Sequence, residues 1–320
     1  MNRTFKKFIF AVQLVVIALI SFSNVWAAGE IDPTFNGGAF QQPIRNVFVM
    51  KRQTDGKILI GGNFEVANGA LRYGIARLNP DATVDTTFNP PDTLQGTIRA
   101  IAIQPDGKIL IGGNFLIPLL TNWTVIARLN ADGSFDNTFA TPTTFQASPT
   151  QPNSVNDIAL TADGKVVIAG NFIYNPPTGG AKSKFARLNV DGTTDAAFNP
   201  AGLFTDISDI EIQADGKIVG ATTDGGSGSR FVKRFNPDGS EDTSFNALVT
   251  GSVNALKIQP DGKILIGGDF NFVNNTARVD AARLNTDGTL DTTFSITTSC
   301  LLYTSPSPRD RTRSRMPSSA

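Results

Sequence analysis

"QPDGKILIGGNF", Gln104 to Phe115, decides the fold because the chain repeats it. Close copies begin at Gln53 (QTDGKILIGGNF), Thr161 (TADGKVVIAGNF) and Gln259 (QPDGKILIGGDF), and a worn copy at Gln213 (QADGKIVGATTD). A second phrase alternates with the first: ARLNPDATVDTTF from Ala76, ARLNADGSFDNTF from Ala127, ARLNVDGTTDAAF from Ala186, KRFNPDGSEDTSF from Lys233 and ARLNTDGTLDTTF from Ala282. A half-copy, GEIDPTF, starts at Gly29. The closing phenylalanines are Phe35, Phe88, Phe139, Phe198, Phe245 and Phe294. They recur about every 50 residues, the period of stacked or radial supersecondary units.

Each unit reads as four strands. In unit 2 these are IRAIAI from Ile98, KILIGGNF, VIARLN and SFDNTF. Asp-Gly turns join the first two and the last two, and glycine supplies the positive φ of a tight hairpin. Ile109-Leu110-Ile111 is continuously apolar, which suits a strand covered on both faces. The sequence therefore predicts an all-β chain, a β-propeller of four-stranded antiparallel blades. Five full repeats span about 44–89, 98–140, 155–199, 207–246 and 253–295, within a domain of residues 28–299. A linear β-solenoid is the competing architecture, but two hairpins per unit favour antiparallel meanders. The half-copy at Gly29 is an orphan outer strand. It implies a ring left incomplete by truncation, with three further strands beyond Phe294. Ala82 stands in the turn where the other units carry Gly133, Gly192, Gly239 and Gly288, which predicts a left-handed alanine.

The paired phrases resemble the delta-60 repeat, a bacterial family of exported repeat proteins, from Gly29 to about Phe294. The resemblance implies propeller architecture and no particular chemistry. Unit 4 departs most, since KIVGATTDGGSGS lacks the Gly-Gly-Asn-Phe of the other copies.

The ends read differently from the body. Arg3, Lys6 and Lys7 precede an apolar run from Phe8 to Ile20, and small residues follow up to Ala27. That pattern is a secretory signal peptide over residues 1–27, too short to span a membrane, and it predicts export to the cell surface, periplasm or medium. The tail Cys300–Ala320 has no hydrophobic period and carries Arg309, Arg311, Arg313 and Arg315. Its CLLYTSPSPRD resembles translated sequencing adapter. Setting both ends aside leaves 21 cationic against 27 anionic residues, a net charge of about −6. That balance argues against nucleic acid as a partner. The one cysteine, Cys300, lies in the tail, so the body holds no disulfide or thiolate.

Histidine is absent from the chain, which removes the commonest general base and metal ligand. The body has four glutamates (Glu30, Glu65, Glu211, Glu241), and most aspartates hold repeated turn positions. No catalytic acid pair stands out, so the chain reads as non-enzymatic and without a cofactor. The run Asn-x-Asp-Gly-x-x-Asp, as in Asn130, Asp132 and Asp136, gathers oxygen atoms that would suit calcium, but it also suits plain turn chemistry. The Asp-Gly-Lys lysines read as solvated turn residues. One Arg and one Asp flank each second hairpin: Arg77/Asp85, Arg128/Asp136, Arg187/Asp195, Arg234/Asp242 and Arg283/Asp291. One pair per unit points to structure.

Both Asp-Gly turns fall on one face. The two-to-three and four-to-one connections fall on the other and vary widely. The body's Trp123, Tyr73 and Tyr174 lie in or beside the two-to-three loops. Such amphipathic aromatics suit carbohydrate or protein contact, although they also pack over loop edges. The functional expectation is a binding or scaffold module with a glycan or surface protein on the variable face. A purely structural surface repeat and a loop-carboxylate hydrolase are the alternatives.

Overall fold

The computed structural model describes residues 46–67, 69–92, 94–117, 123–140, 145–146, 153–174, 182–200, 204–224 and 230–295. The signal segment 1–27, the half-copy 29–35, the tail 300–320 and the Tyr174 side chain lie outside the described residues. Among the described residues every regular element is a strand. Unit 1 comprises β1 (Val47–Arg52), β2 (Ile58–Gly62), the small hairpin β3 (Val66–Ala67) and β4 (Ala70–Leu71), and β5 (Ile75–Leu78). Unit 2 has β6 (Gln95–Ile103), β7 (Ile109–Leu116) and β8 (Trp123–Leu129). Unit 3 has β9 (Phe145–Gln146), β10 (Ser154–Leu160), β11 (Val166–Tyr174) and β12 (Lys182–Leu188). Units 4 and 5 follow as β13 (Phe204–Ile212), β14 (Ile218–Asp224), β15 (Arg230–Phe235), β16 (Glu241–Ile258), β17 (Ile264–Val273), β18 (Thr276–Ala277) and β19 (Ala281–Leu284).

Within each unit the first three long strands pair antiparallel in chain order. The first strands β1, β6, β10, β13 and then β16 adjoin one another in succession, so they form the axial edge of the array. The described units do not close a ring.

The continuous apolar runs are explained by two-sided burial. Ile109 and Ile111 of β7 enter the core shared with unit 1, alongside Leu59, Ile75 and Phe88. Leu110, between them, enters the core shared with unit 3, alongside Val155, Ile158 and Val166. Unit 3 repeats the device: Val166 and Ile168 face back and Val167 faces forward, towards Ile207 and Ile218. Successive residues of one strand thus serve two neighbours, and no position in the run can be polar.

The recurring Gly-Gly has an equally specific cause. A Cβ on Gly112 would lie 2.6 Å from Val155 Cγ1 of the next unit. A Cβ on Gly170 would lie 2.2 Å from the Ser154 carbonyl oxygen of its own unit. The first glycine lets units approach, and the second lets strand two pass a bulge in strand one. That bulge recurs, between Val47 and Val49, Ile98 and Ala100, Val155 and Asp157, Ile207 and Asp209, and Val253 and Ala255, and in unit 4 Ala221 and Thr222 stand opposite it in place of the two glycines.

Two details differ from the sequence reading. The fourth element is an extended strand only in unit 4, where it continues into unit 5 as the 18-residue β16. In the other units it shrinks to a single bridge, such as Leu129 with Phe135, followed by a turn. In the turn that follows, Asp136 Oδ1 accepts from Thr138 N (3.0 Å) and Thr138 Oγ1 (2.6 Å), and unit 4 keeps the same bonds from Ser244 to Asp242 within its extended strand. The turns are also not primed. Gly133 N donates to Asn130 O (2.9 Å), and Gly133 itself, the residue after the central pair, takes φ 93°. This is a three-residue hairpin closed by a glycine bulge.

Ala82 occupies that glycine position with φ 68°. Left-handed alanine costs about 1–2 kcal/mol, and loss of its buried methyl would offset about 0.8 kcal/mol. Ala82→Gly should therefore raise the stability of the protein by up to about 1 kcal/mol. A lowered Tm would show that its methyl packing outweighs the strain.

Candidate functional site

The two faces differ in what their side chains do. On the turn face the Arg–Asp pairs are hubs. Asp136 Oδ2 accepts from Arg128 Nε (2.7 Å) and from Lys108 Nζ (2.8 Å). Lys57, Lys165, Lys217 and Lys263 reach Asp85, Asp195, Asp242 and Asp291 in the same way, and Arg77, Arg187, Arg234 and Arg283 supply the second cation. The Asp-Gly-Lys lysines are thus bridging residues and not merely solvated, a role hidden by their separation from the aspartate in sequence. Each arginine also lies over its own closing phenylalanine, 4.8 Å from the Phe139 centroid for Arg128. Its Nη1 then crosses to the next unit: Arg77 to Ala131 O (2.7 Å), Arg128 to Val190 O (2.7 Å), Arg187 to Pro237 O and Arg234 to Thr286 O (2.8 Å).

Asn130, Asp132 and Asp136 are likewise engaged. Asn130 Nδ2 donates to Ser134 Oγ, and Asp132 Oδ1 accepts from Ser134 N and Oγ. With Lys108 and Arg128 on Asp136, this set of oxygen atoms is engaged by the chain's own ammonium, guanidinium and turn groups.

The aromatics singled out in the sequence are not brought together. Tyr73 packs, partly buried, against the core between units 1 and 2. Trp123 opens β8 opposite Leu116 and rests beside Gly96, whose Cβ would lie 3.0 Å from the Trp123 ring. Tyr174 pairs with Phe145 at the end of β11.

The axial edge holds a different group. Arg99 of unit 2 stacks over the ring of Phe48 of unit 1, 4.7 Å from its centroid, and Phe48 is 42% exposed. Asn156 Nδ2 of unit 3 donates to Asp206 Oδ1 (3.0 Å) and to Ile207 O (3.1 Å) of unit 4. Lys184 Nζ, at the start of β12, donates to Asn171 Oδ1. Burial pushes the Asp206 carboxyl up, against the opposing pull of Lys184, Asn156 and Arg230. Burial also lowers the Arg99 guanidinium and the Lys184 ammonium, and the charge of Asp206 opposes both shifts. The charge of Asp206 thus acts on Arg99 and Lys184, and those of Lys184 and Arg230 act on Asp206. Asp206 lies near the start of the axial strand β13, whereas Lys184 and Arg230 lie on the third strands β12 and β15. Lys184 is held at φ 82°, where units 1 and 5 place Gly74 (φ 71°) and Asp280 (φ 64°).

Deeper along the axis lie two carboxyls. Asp157 Oδ2 accepts from Ile210 N (3.0 Å), and Asp209 Oδ2 accepts from Leu256 N (2.6 Å). Burial, Asp157's charge and a side-chain hydrogen bond to Asp157 push the Asp209 carboxyl well above the ordinary range. Through these bonds Asp157 ties unit 3 to unit 4 and Asp209 ties unit 4 to unit 5. Glycosidase carboxylates stand about 5–9.5 Å apart so that a substrate fits between them, and this hydrogen-bonded pair leaves no such space.

The sequence reading passed over Arg99, Lys184, Asp206 and Arg230. A signal was present: position 99 and its equivalents are Phe48, Asn156, Ser208 and Asn254, the polar-variable position of an otherwise repeated strand.

Stacked, repeated antiparallel sheets around a common axial edge define a β-propeller repeat protein. The family model described as "Domain of unknown function (DUF5122) beta-propeller" matches residues 53–88, 104–139, 161–198, 213–245 and 259–294. These segments make up more than half of the chain, which belongs to this family. None of the curated proteins matches it. Among solved structures it is similar to the extracellular domain of the putative hybrid two component system BT3049 from B. thetaiotaomicron, with 16% identity and TM-score 0.41 over 69% of this chain and 26% of that one. It is similar to virginiamycin B lyase from Staphylococcus aureus (11%, TM-score 0.43, 79% and 71%) and to puromycin hydrolase (15%, TM-score 0.42, 81% and 40%). The chain spans about a quarter of the first of these. Among the described residues no helix is long and apolar enough to cross a membrane.

Proposed function

We propose that the protein is an exported, non-enzymatic binding or scaffold module whose ligand, a glycan or a surface protein, seats on the face of the variable loops. One observation carries the reading. The turn face uses its charged side chains up in the same Arg–Asp–Lys network five times over, while the two-to-three and four-to-one connections on the opposite face differ from unit to unit. Repetition serves the scaffold, and departures from it serve recognition. Trp123, Tyr73 and Tyr174 would border the ligand from the two-to-three loops. Export rests on the signal-like first 27 residues.

The test is the full chain on a glycan array and a panel of purified bacterial surface proteins, beside the Trp123→Ala/Tyr174→Ala double variant. The expected result is a defined ligand for the wild type, weakened in the double variant at unchanged Tm. A folded wild type that retains nothing would overturn the reading in favour of a purely structural repeat.

A further inference from the structure

Unit 3 brings a lysine onto a side-chain amide. Lys184 Nζ donates to Asn171 Oδ1, so the lysine of β12 lies against a carboxamide of the paired strand β11. Asn171 falls in the break of that ladder, between Ala169 and Ile173. The contact is particular to this unit. In unit 1 the same two places hold Gly74 and Asn63, and Asn63 Oδ1 accepts instead from the backbone N–H of Asn46 (2.6 Å). Units 2, 4 and 5 carry Val125, Phe231 and Asp280 where unit 3 has the lysine. Lys184 also holds φ 82°, in the left-handed region that favours glycine. Strain kept by a lysine at such a position marks a side chain that is wanted there.

A carboxyl stands in the same neighbourhood. Asp206 Oδ1 accepts from Asn156 Nδ2 (3.0 Å), and the strand of Asn156 pairs with that of Asn171, with Ser154 opposite Asn171. Burial lowers the Lys184 ammonium and raises the Asp206 carboxyl. Both shifts favour the neutral forms: an amine that can attack and an acid that can give up a proton.

We propose that Lys184 and Asn171 join in an intramolecular isopeptide bond, with ammonia as the leaving group. The lone pair of Lys184 Nζ, as the neutral amine, forms a bond to Asn171 Cγ. The Cγ–Nδ2 bond breaks, and Nδ2 leaves as ammonia with a proton that the Asp206 carboxyl gives and regains from Nζ. Every electron pair is conserved, and the step takes no oxidant and no second substrate. Holding amine and amide in contact replaces a bimolecular encounter, which brings this slow reaction within reach. The body carries no cysteine, so no disulfide can tie these strands. The amide does so where the backbone register of β11 and β12 is interrupted, at the root of the two-to-three connection of unit 3.

The experiment is mass spectrometry of the purified full-length protein after digestion with trypsin. Trypsin cuts after Lys165, Lys182 and Arg187 but not after an acylated Lys184. The expected product is residues 166–182 joined to residues 183–187, lighter than the two peptides together by one ammonia. Its fragment ions should place the junction at Asn171 and Lys184. Lys184→Gly, which gives the backbone the residue of unit 1, and Asn171→Ala should each return the separate peptides from a chain that circular dichroism shows to be folded. Asp206→Ala should form the junction at least about 100-fold more slowly after refolding, the range for a lost general acid–base group. Recovery of the separate peptides at full mass from the wild type would overturn the proposal. Loss of ammonia confined to the Asn171 peptide would overturn it as well, since that product is a cyclic imide and not a cross-link. An undiminished rate in Asp206→Ala would overturn the part given to Asp206 and leave the bond standing.

Discussion

Replacing Arg128 by alanine should destabilise the protein by about 3–5 kcal/mol, the range for removing one partner of a buried ion pair. Arg128 and Asp136 are both buried, 7% and 8% exposed. The change removes the Nε bond to Asp136, the stacking over Phe139 and the bond to Val190 O, which joins unit 2 to unit 3. Lys108 would be the one cation left on the carboxylate, beside the Thr138 donors. Arg283→Ala should do less, because its side chain is 22% exposed and unit 5 has no following unit among the described residues. Urea unfolding of both variants measures the difference, and equal losses would mean that the inter-unit bond contributes nothing.

The same pair sets a pH dependence. Burial pushes the Asp136 carboxyl up, but hydrogen bonds from Lys108, Thr138 and Arg128 outweigh it and hold the group well below the ordinary carboxylate range. A depressed folded-state value contributes stability that is complete above the unfolded value of about 3.9 and fades as pH falls through the folded one. The Arg128→Ala deficit should therefore be full at neutral pH and shrink below about pH 4. A deficit that stays constant down to pH 2 would assign the loss to packing alone.

Gly268→Ala is the second large effect. Its Cβ would stand 1.9 Å from the Ser252 carbonyl oxygen and 2.9 Å from Val253 Cα, both backbone atoms of the paired strand β16. Backbone in a hydrogen-bonded ladder cannot step aside as a side chain does. We expect a loss of more than about 3 kcal/mol, above the usual range for overpacking. Gly220→Ala in the worn unit, two residues before the bulge position, is a control on a strand-two glycine whose Cβ has room. Its Cβ would meet Phe235, Ile210 and Ile207 at 3.5 Å or more, ordinary contact distances, and the change should cost about 1 kcal/mol or less. If Gly268→Ala unfolds no more readily than Gly220→Ala, the bulge does not explain the second glycine of the phrase.

Much of the fold was legible because its causes are local. Ile109-Leu110-Ile111 announced a strand buried on both sides, and a left-handed turn position was readable at Ala82 from its glycine counterparts. The short fourth element was not readable. SFDNTF of unit 2 and SEDTSF of unit 4 share one pattern and the same bonds to the aspartate, yet the first curls and the second extends within β16. The lysine bridges were hidden for a related reason: Lys108 and Asp136 are far apart in sequence and meet only when strands two and three pair.

By itself the sequence determined the unit. Period, alternating phrases and turn glycines act within about 50 residues, where hydrogen bonding and burial are local matters. Only the tertiary structure decided what the units do to one another. It made the first strands axial, sent the arginines of units 1 to 4 across to the next unit, and set Asn156 of unit 3 against Asp206 of unit 4. That meeting depends on how successive sheets stack, and stacking is set by inter-unit packing such as Gly112 against Val155, which no single repeat contains.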